Sequence, residues 1–197
     1  MRAAEQQFGA TGLRSTTAGG IAKAARTSEA AIYTSFGTKQ RLFEEVVRRN
    51  TQNRVAVLRE RFQSIPALPP LECVEKMAEA TVLACVDETA NAAVMAWALM
   101  EMPEFGAELY REEIGATEAL WGSETGTRLA DSPLRRPLAV HVVPYAVHTC
   151  MAFGFWLATL HHKPATAEAH ARQYAGAVVQ VARVVMDFVP EPVEPAA

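Results

Sequence analysis

Between Thr27 and Phe36 the chain reads TSEAAIYTSF, a set of side chains suited to recognising a grooved surface rather than to making or breaking bonds. Ser28 is placed to cap a helix, because a hydroxyl there accepts a hydrogen bond from a free backbone N–H one turn on. Ile32 and Phe36 are four apart, so they share a face and anchor the segment inward. Glu29, Ala30, Tyr33 and Thr34 then point elsewhere. They are small or hydrogen-bonding, which suits close approach to duplex DNA. Glu29, Ala30 and Thr34 are assigned to base edges, and a carboxylate such as Glu29 accepts from a cytosine amino group. Thr17, Tyr33 and Lys39 are assigned to phosphate, with Arg26, Thr27 and Ser28 beside them in the turn. Lys39 falls in the first turn of a helix capped by Thr38, where free N–H groups and the helix dipole attract anions.

A second group of candidates lies further along. His141, Tyr145 and His148 are spaced by four and three, which puts them on one face of a long apolar helix. Two readings stay open for them: partnered polar groups at a helix interface, or the lining of a ligand cavity, with haem or metal ligation a remote third. Trp97, Met100 and Trp121 are core residues or the apolar wall of a pocket, and methionine adapts to varied shapes. Glu101, one turn after Trp97, offers that pocket a charged contact or simply ends a surface helix. Together Trp97, Met100, Glu101, Trp121, His141, Tyr145 and His148 form the expected ligand site. Enzymatic chemistry finds little support. The sequence holds no supportable Ser-His-Asp spacing, no glycine-rich phosphate loop and no zinc-type histidine pair in a favourable context. No cofactor and no metal are expected. Cys73, Cys85 and Cys150 are too scattered for a disulfide scaffold and read as buried thiols. His161-His162 reads as a solvated helix end.

The elements that carry these residues are helical throughout. Thr16 or Thr17 caps a short helix ending near Ala25, and the segment Ser28–Ser35 follows it after a tight turn, the arrangement of a helix-turn-helix. Ahead of them a first helix is expected over Met1–Gly9, with Gly9–Ser15 as a turn in which Gly12 is free to take positive φ. Gly19 and Gly20 are costly inside a helix and imply a close backbone approach, either to phosphate or to the first helix. Arg26 and Thr27 form the turn between the two helices of the helix-turn-helix. A long helix then runs from Thr38 to about Phe62, closed by Pro66, Pro69 and Pro70. Further helices are expected over Leu71–Cys85, Thr89–Glu101, and one or two pieces of Phe105–Trp121, with Gly122–Ser132 a loop. Pro133 to about Leu160 forms an apolar helix bent at Pro137 or Pro144, interrupted too often for a good bilayer span. Thr166–Val189 is the last helix. Its small residues permit close helix pairing, and Ala175 and Val178 are expected in the contact with a second copy. The tail 190–197 is expected to be disordered. The net charge of −3 divides unevenly. Residues 1–50 hold eight basic and four acidic side chains, a net of +4, which leaves −7 for the rest. A basic head on an acidic body turns the head toward phosphate.

Residues 3–49 resemble the DNA-binding domain of the tetracycline-repressor (TetR) family. The resemblance rests on Ala3-Ala4, Phe8, Gly12-Leu13, Thr16-Thr17, Ile21-Ala22, Ser28, Ile32-Tyr33, Phe36, Lys39 and Leu42 in that order and spacing. It departs from the family pattern at Arg26, where glycine is common, and in beginning its first helix late. The resemblance implies an all-α protein in two parts: a three-helix helix-turn-helix head over 1–50, and a helical bundle over 51–189 that binds an effector and dimerises. It implies a homodimeric cytoplasmic repressor, with double-stranded operator DNA and a small, mostly apolar effector as partners and no membrane. The alternative is a helical small-molecule-binding protein whose DNA-binding head has decayed.

Overall fold

In the computed structural model, residues 1–87, 92–159 and 164–188 are described, and among them every regular element is a helix. His161-His162 and the tail 190–197 lie outside these residues, as does the expected helix start at Thr89. The first helix, α1, spans Arg2–Ser15 and is broken at Gly12, where φ is 76° and ψ −178°. Gly12 takes the positive φ expected of it, but the expected turn is helical on both sides of that break. A Cβ at Gly12 would also stand 2.7 Å from the Trp97 ring.

Helix α2 (Ala18–Ala25) begins at Thr17, whose hydroxyl accepts the Gly20 N–H at 3.0 Å. The glycine pair has a local purpose. A Cβ at Gly19 would stand 2.6 Å from the Glu29 carboxylate, and one at Gly20 would stand 3.1 Å from the Thr17 hydroxyl. Gly19 therefore makes room for the next helix, and Gly20 for its own cap. Arg26 ends α2 in the left-handed conformation, φ 52° and ψ 47°, with its N–H directed to the Ala22 and Lys23 carbonyls. A side chain there costs about 1–2 kcal/mol, whereas glycine returns up to about 1 kcal/mol as unfolded-chain entropy. Arg26→Gly should therefore stabilise the fold by about 0.5–1 kcal/mol, read as a higher melting midpoint. An unchanged midpoint would mean that the arginine side chain already offsets the strain.

Helix α3 (Glu29–Phe36) is capped by Ser28, which accepts the Ala31 N–H at 3.1 Å. Helix α4 (Lys39–Gln63) is capped by Thr38, which accepts the Arg41 N–H at 3.0 Å. Leu42, Phe43, Val46 and Val47 of α4 enter a head cluster with Phe8, Ile21 and Ile32, and Phe8 meets Phe43 edge-on at 5.0 Å. That cluster also takes in Val94, Met95 and Ala98 of α6 (Ala93–Glu101) and Leu109 of α7 (Pro103–Arg128). Further along α4, Leu58 and Phe62 belong to a second, larger cluster in the body. Between the two apolar stretches α4 buries Asn50, Thr51 and Arg54.

The body cluster surrounds α5 (Pro70–Cys85), which packs on α9 (Val143–Thr159) and α10 (Pro164–Phe188). Gly154 lets α5 and α9 cross closely, since a Cβ there would lie 2.6 Å from that of Cys85. Helix α7 is one continuous element and runs on through Gly122 to Arg128, so the first half of the expected loop is helix. Two tertiary anchors, at Trp121 and Arg128, and one bond within the helix hold that last stretch. The Trp121 indole, fully buried, donates to the Thr81 hydroxyl at 3.0 Å, and Thr125 donates to the Trp121 carbonyl at 2.8 Å. The Arg128 guanidinium donates to the Phe62 and Ile65 carbonyls at 2.6 and 2.9 Å, closing the C-terminal end of α4. A bend is expected at Pro137 or Pro144; the structure has a π turn between the two prolines, Leu138–Val142, joining the short α8 (Arg135–Pro137) to α9. Residues 135–158 are long and apolar enough to cross a bilayer by length and composition. In this fold their Val142, Val147, Cys150 and Leu157 form part of the body core.

Candidate nucleic-acid interface

Helix α3 is held by one fully buried residue, Ile32, and by the half-buried Phe36. The rest of its length is exposed, including Glu29, Ala30, Tyr33 and Thr34. Tyr33 keeps 45% of its surface open, a large aromatic that the core does not use. The capping residues Thr17, Ser28 and Thr38 are exposed beside it, as are Arg26 and Thr27. A short helix fixed at both ends and facing outward with small and hydrogen-bonding groups has the form of a major-groove reader. The Thr34 hydroxyl donates to the Ala30 carbonyl at 2.8 Å. Its proton is thus committed to its own helix, and toward a base edge Thr34 offers acceptor lone pairs and a methyl group. The Glu29 carboxylate leans over Gly19 at the start of α2. Lys39 is half-buried and donates from Nζ to the Thr16 carbonyl at 2.7 Å. In this arrangement it ties α4 to the start of the helix-turn-helix; an ammonium has three donors, so two remain for phosphate.

The structure does not gather the seven body residues expected to line one ligand site. Trp97 and Glu101 sit at the joint between α6 and α1. The Trp97 indole donates to the Gly9 carbonyl at 3.1 Å, and Glu101 Oε2 accepts the Leu13 and Arg14 N–H groups at 2.6 and 3.1 Å. Trp121 is core, edge-on to Phe62 at 5.8 Å. Met100 is exposed. His141, Tyr145 and His148 do share one side of their segment, but that side faces outward. His148 Nδ1 contacts the Pro144 carbonyl at 2.8 Å and lies 3.6 Å from Glu118. Helical spacing placed these three on one face; it carried no information on whether the face turned in or out.

Sequence reasoning also missed the most deeply buried charges. Arg54 Nε and Nη2 donate to the two Glu113 carboxylate oxygens at 2.6 and 2.8 Å, with both residues 2% exposed. The guanidinium also lies 5.1 Å from the Phe155 ring centroid. Burial opposes the Arg54 charge, but the Glu113 carboxylate outweighs it and holds the pKa above its ordinary value. The signal that could have found Arg54 was its place one turn after Asn50 and one turn before Leu58, in line with the apolar positions of α4. The three thiols are buried as expected, and burial pushes that of Cys85 up to about 12.

Comparison with known proteins agrees with this geometry. Residues 1–46 match the family described as bacterial regulatory proteins, tetR family. No curated protein matches the chain. Among solved structures, a TetR-family transcriptional regulator from Mesorhizobium loti superposes with a TM-score of 0.65 at 19% identity, over 91% of this chain and 93% of that one. PfmR, a TetR-family regulator from Thermus thermophilus, gives 0.62 at 19% identity over 91% and 96%. The ketosteroid transcriptional regulator KstR2 of Mycobacterium tuberculosis gives 0.60 at 18% identity over 90% of each chain. The head of the chain thus matches the tetR family of bacterial regulatory proteins, and the chain as a whole shares its all-helical fold with these regulators.

Proposed function

We propose that the protein is a cytoplasmic homodimeric repressor, released from its operator when a small, mostly apolar effector binds the body. Residues 1–50 form the DNA-binding head, and 51–189 the effector-binding and dimerising part. The observation that carries this reading is the outward face of α3, where Tyr33, Thr34, Ala30 and Glu29 are exposed on a helix capped at Ser28. Thr17, Tyr33 and Lys39 hold phosphate, and Glu29, Ala30 and Thr34 meet base edges. Helix α4 joins the two halves, with its first turns in the head cluster and its last in the body cluster. An effector releases DNA only if it prefers one arrangement of the body to another. A coupling of about 1–3 kcal/mol gives a 5–150-fold loss of affinity.

The reading is tested by binding to duplex DNA from the region beside the protein's own coding sequence, at several salt concentrations. The parent protein should bind with a steep salt dependence. Lys39→Ala should weaken binding to all sequences alike and flatten the slope of log affinity against log salt by about one unit. No binding of the parent at low salt would instead support a small-molecule-binding protein with an inactive head. Binding that Lys39→Ala leaves untouched would confine Lys39 to its bond with Thr16.

A further inference from the structure

The head is attached to the body along α4, but a second attachment is built from residues no recognition role uses. Helix α1 breaks at Gly12, and the break frees the N–H groups of the residues that follow, as at the start of any helix. Glu101, the last residue of α6 and about 87 positions away in the chain, supplies the missing partner. Its Oε2 accepts from Leu13 and Arg14, so a carboxylate in the body caps a helix fragment in the head. One turn earlier on α6, Trp97 covers the same break. Its ring lies where a Gly12 side chain would stand, and its indole N–H donates to Gly9, just before the break. Carboxylate, indole and glycine act on three consecutive features of α1: the end of the first segment, the break, and the start of the second. Hydrogen bonds to a charged group are stronger than neutral ones. The Arg48 guanidinium over the Phe105 ring, at 5.1 Å, adds a contact from α4 to the start of α7 nearby.

We propose that Glu101 and Trp97 are positioning residues that clamp α1 at Gly12 and make the head follow α6 as well as α4. Without the clamp, the head is held by α4 and by the non-directional apolar contact of α6 and α7 with the head cluster. The clamp adds directional bonds at the break in α1, and these set the direction of the head relative to the body. This deepens the regulator reading, because any rearrangement of the body that shifts α6 against α4 then turns the recognition helix.

The clamp is tested in the full chain without operator or effector. Cysteines introduced at the exposed positions Lys23 in α2 and Ser123 in α7 carry spin labels; the native thiols are buried and resist labelling. Labelled protein is diluted with unlabelled protein, so only the distance within one chain is read and the result does not depend on dimerisation. The parent should give one narrow distance distribution. Glu101→Ala should broaden or split it, and Glu101→Gln, which keeps an acceptor oxygen without the charge, should fall between. Trp97→Phe, which keeps the ring and loses the indole N–H, should broaden it less than Glu101→Ala. Hydrogen exchange at Leu13 and Arg14 should accelerate roughly ten- to hundredfold in Glu101→Ala, with the body helices unchanged. If the distance distributions of parent, Glu101→Ala and Glu101→Gln coincide, the head is directed by α4 and the apolar packing of α6 and α7, and the proposal is wrong. Failure of the parent to bind duplex DNA would overturn the regulator reading and leave the clamp standing.

Discussion

Glu113→Leu should cost the protein about 3–5 kcal/mol, because it strands most of the partnership of a buried guanidinium. Whole domains are stable by only about 5–15 kcal/mol, so this single change should remove a third or more of the total. Arg54→Met should cost a similar amount by leaving the Glu113 carboxylate buried. The double variant Arg54→Met with Glu113→Leu is expected to recover most of the loss, since an apolar replacement of both partners is often neutral or stabilising. The reason lies in desolvation. Both charges are out of water, and each is tolerated because the other is within 2.6–2.8 Å in a two-point contact. Urea titrations of the parent, both single variants and the double variant measure this directly as a double-mutant cycle. Additive losses in the double variant would show that the two side chains are not coupled and that each is held by its other neighbours. The pair lies on α4 between the head-side cluster and the body-side cluster. The double variant should therefore come close to the parent in stability while holding α4 against α7 in a less defined register.

The second large effect concerns association. Trp156 and Val184 are 53% and 55% exposed on α9 and α10, and Val140 and Tyr145 are open on the same segment of chain as Trp156. Trp156 stacks on Phe153 at 5.6 Å, and Phe153 stacks on Tyr174 at 4.2 Å, so an aromatic row runs from the surface into the seam between α9 and α10. Large apolar groups left open on neighbouring helices mark an association surface. Ala175 and Val178, expected in the contact with a second copy, are instead within the chain's own core, 0% and 2% exposed. A charge at either would strike folding before it touched a partner. Trp156→Glu combined with Val184→Glu should instead leave the helical content intact and yield a monomer by light scattering at micromolar concentration. Paired recognition helices read half-sites roughly 34–36 Å apart, and a monomer forfeits the second half-site. Operator affinity should then fall by about 10²–10⁴-fold. A double variant that scatters as the parent does and binds operator equally well would move the interface elsewhere.

Local signals determined the head. Ser28 and Thr38 each cap a helix as their residue types and positions indicated, Thr17 takes the cap that the sequence left between Thr16 and Thr17, and Ile32 and Phe36 turn inward as their spacing required. Arg26 is left-handed because the turn geometry is set by its neighbours within a few residues. Such features depend on hydrogen bonds and sterics between residues close in the chain, so a single sequence contains them. The all-helical class was legible for the same reason, through apolar residues at helical spacing.

What the sequence left undecided depended on partners far away in the chain. The end of α7 has the glycines and polar residues of a loop, and is helix because Thr81, Phe62 and Ile65 hold Trp121 and Arg128. Ala175 and Val178 satisfied the requirements of a dimer face, and His141, Tyr145 and His148 those of a pocket wall. Periodicity finds a face but not what the face meets. Arg54 with Glu113, and Glu101 with Leu13 and Arg14, are separated by 59, 88 and 87 residues. In each case a charge is stabilised by a group that only folding brings near, and for that reason only the tertiary structure decided these contacts, while the joining helix α4 was already legible in the sequence.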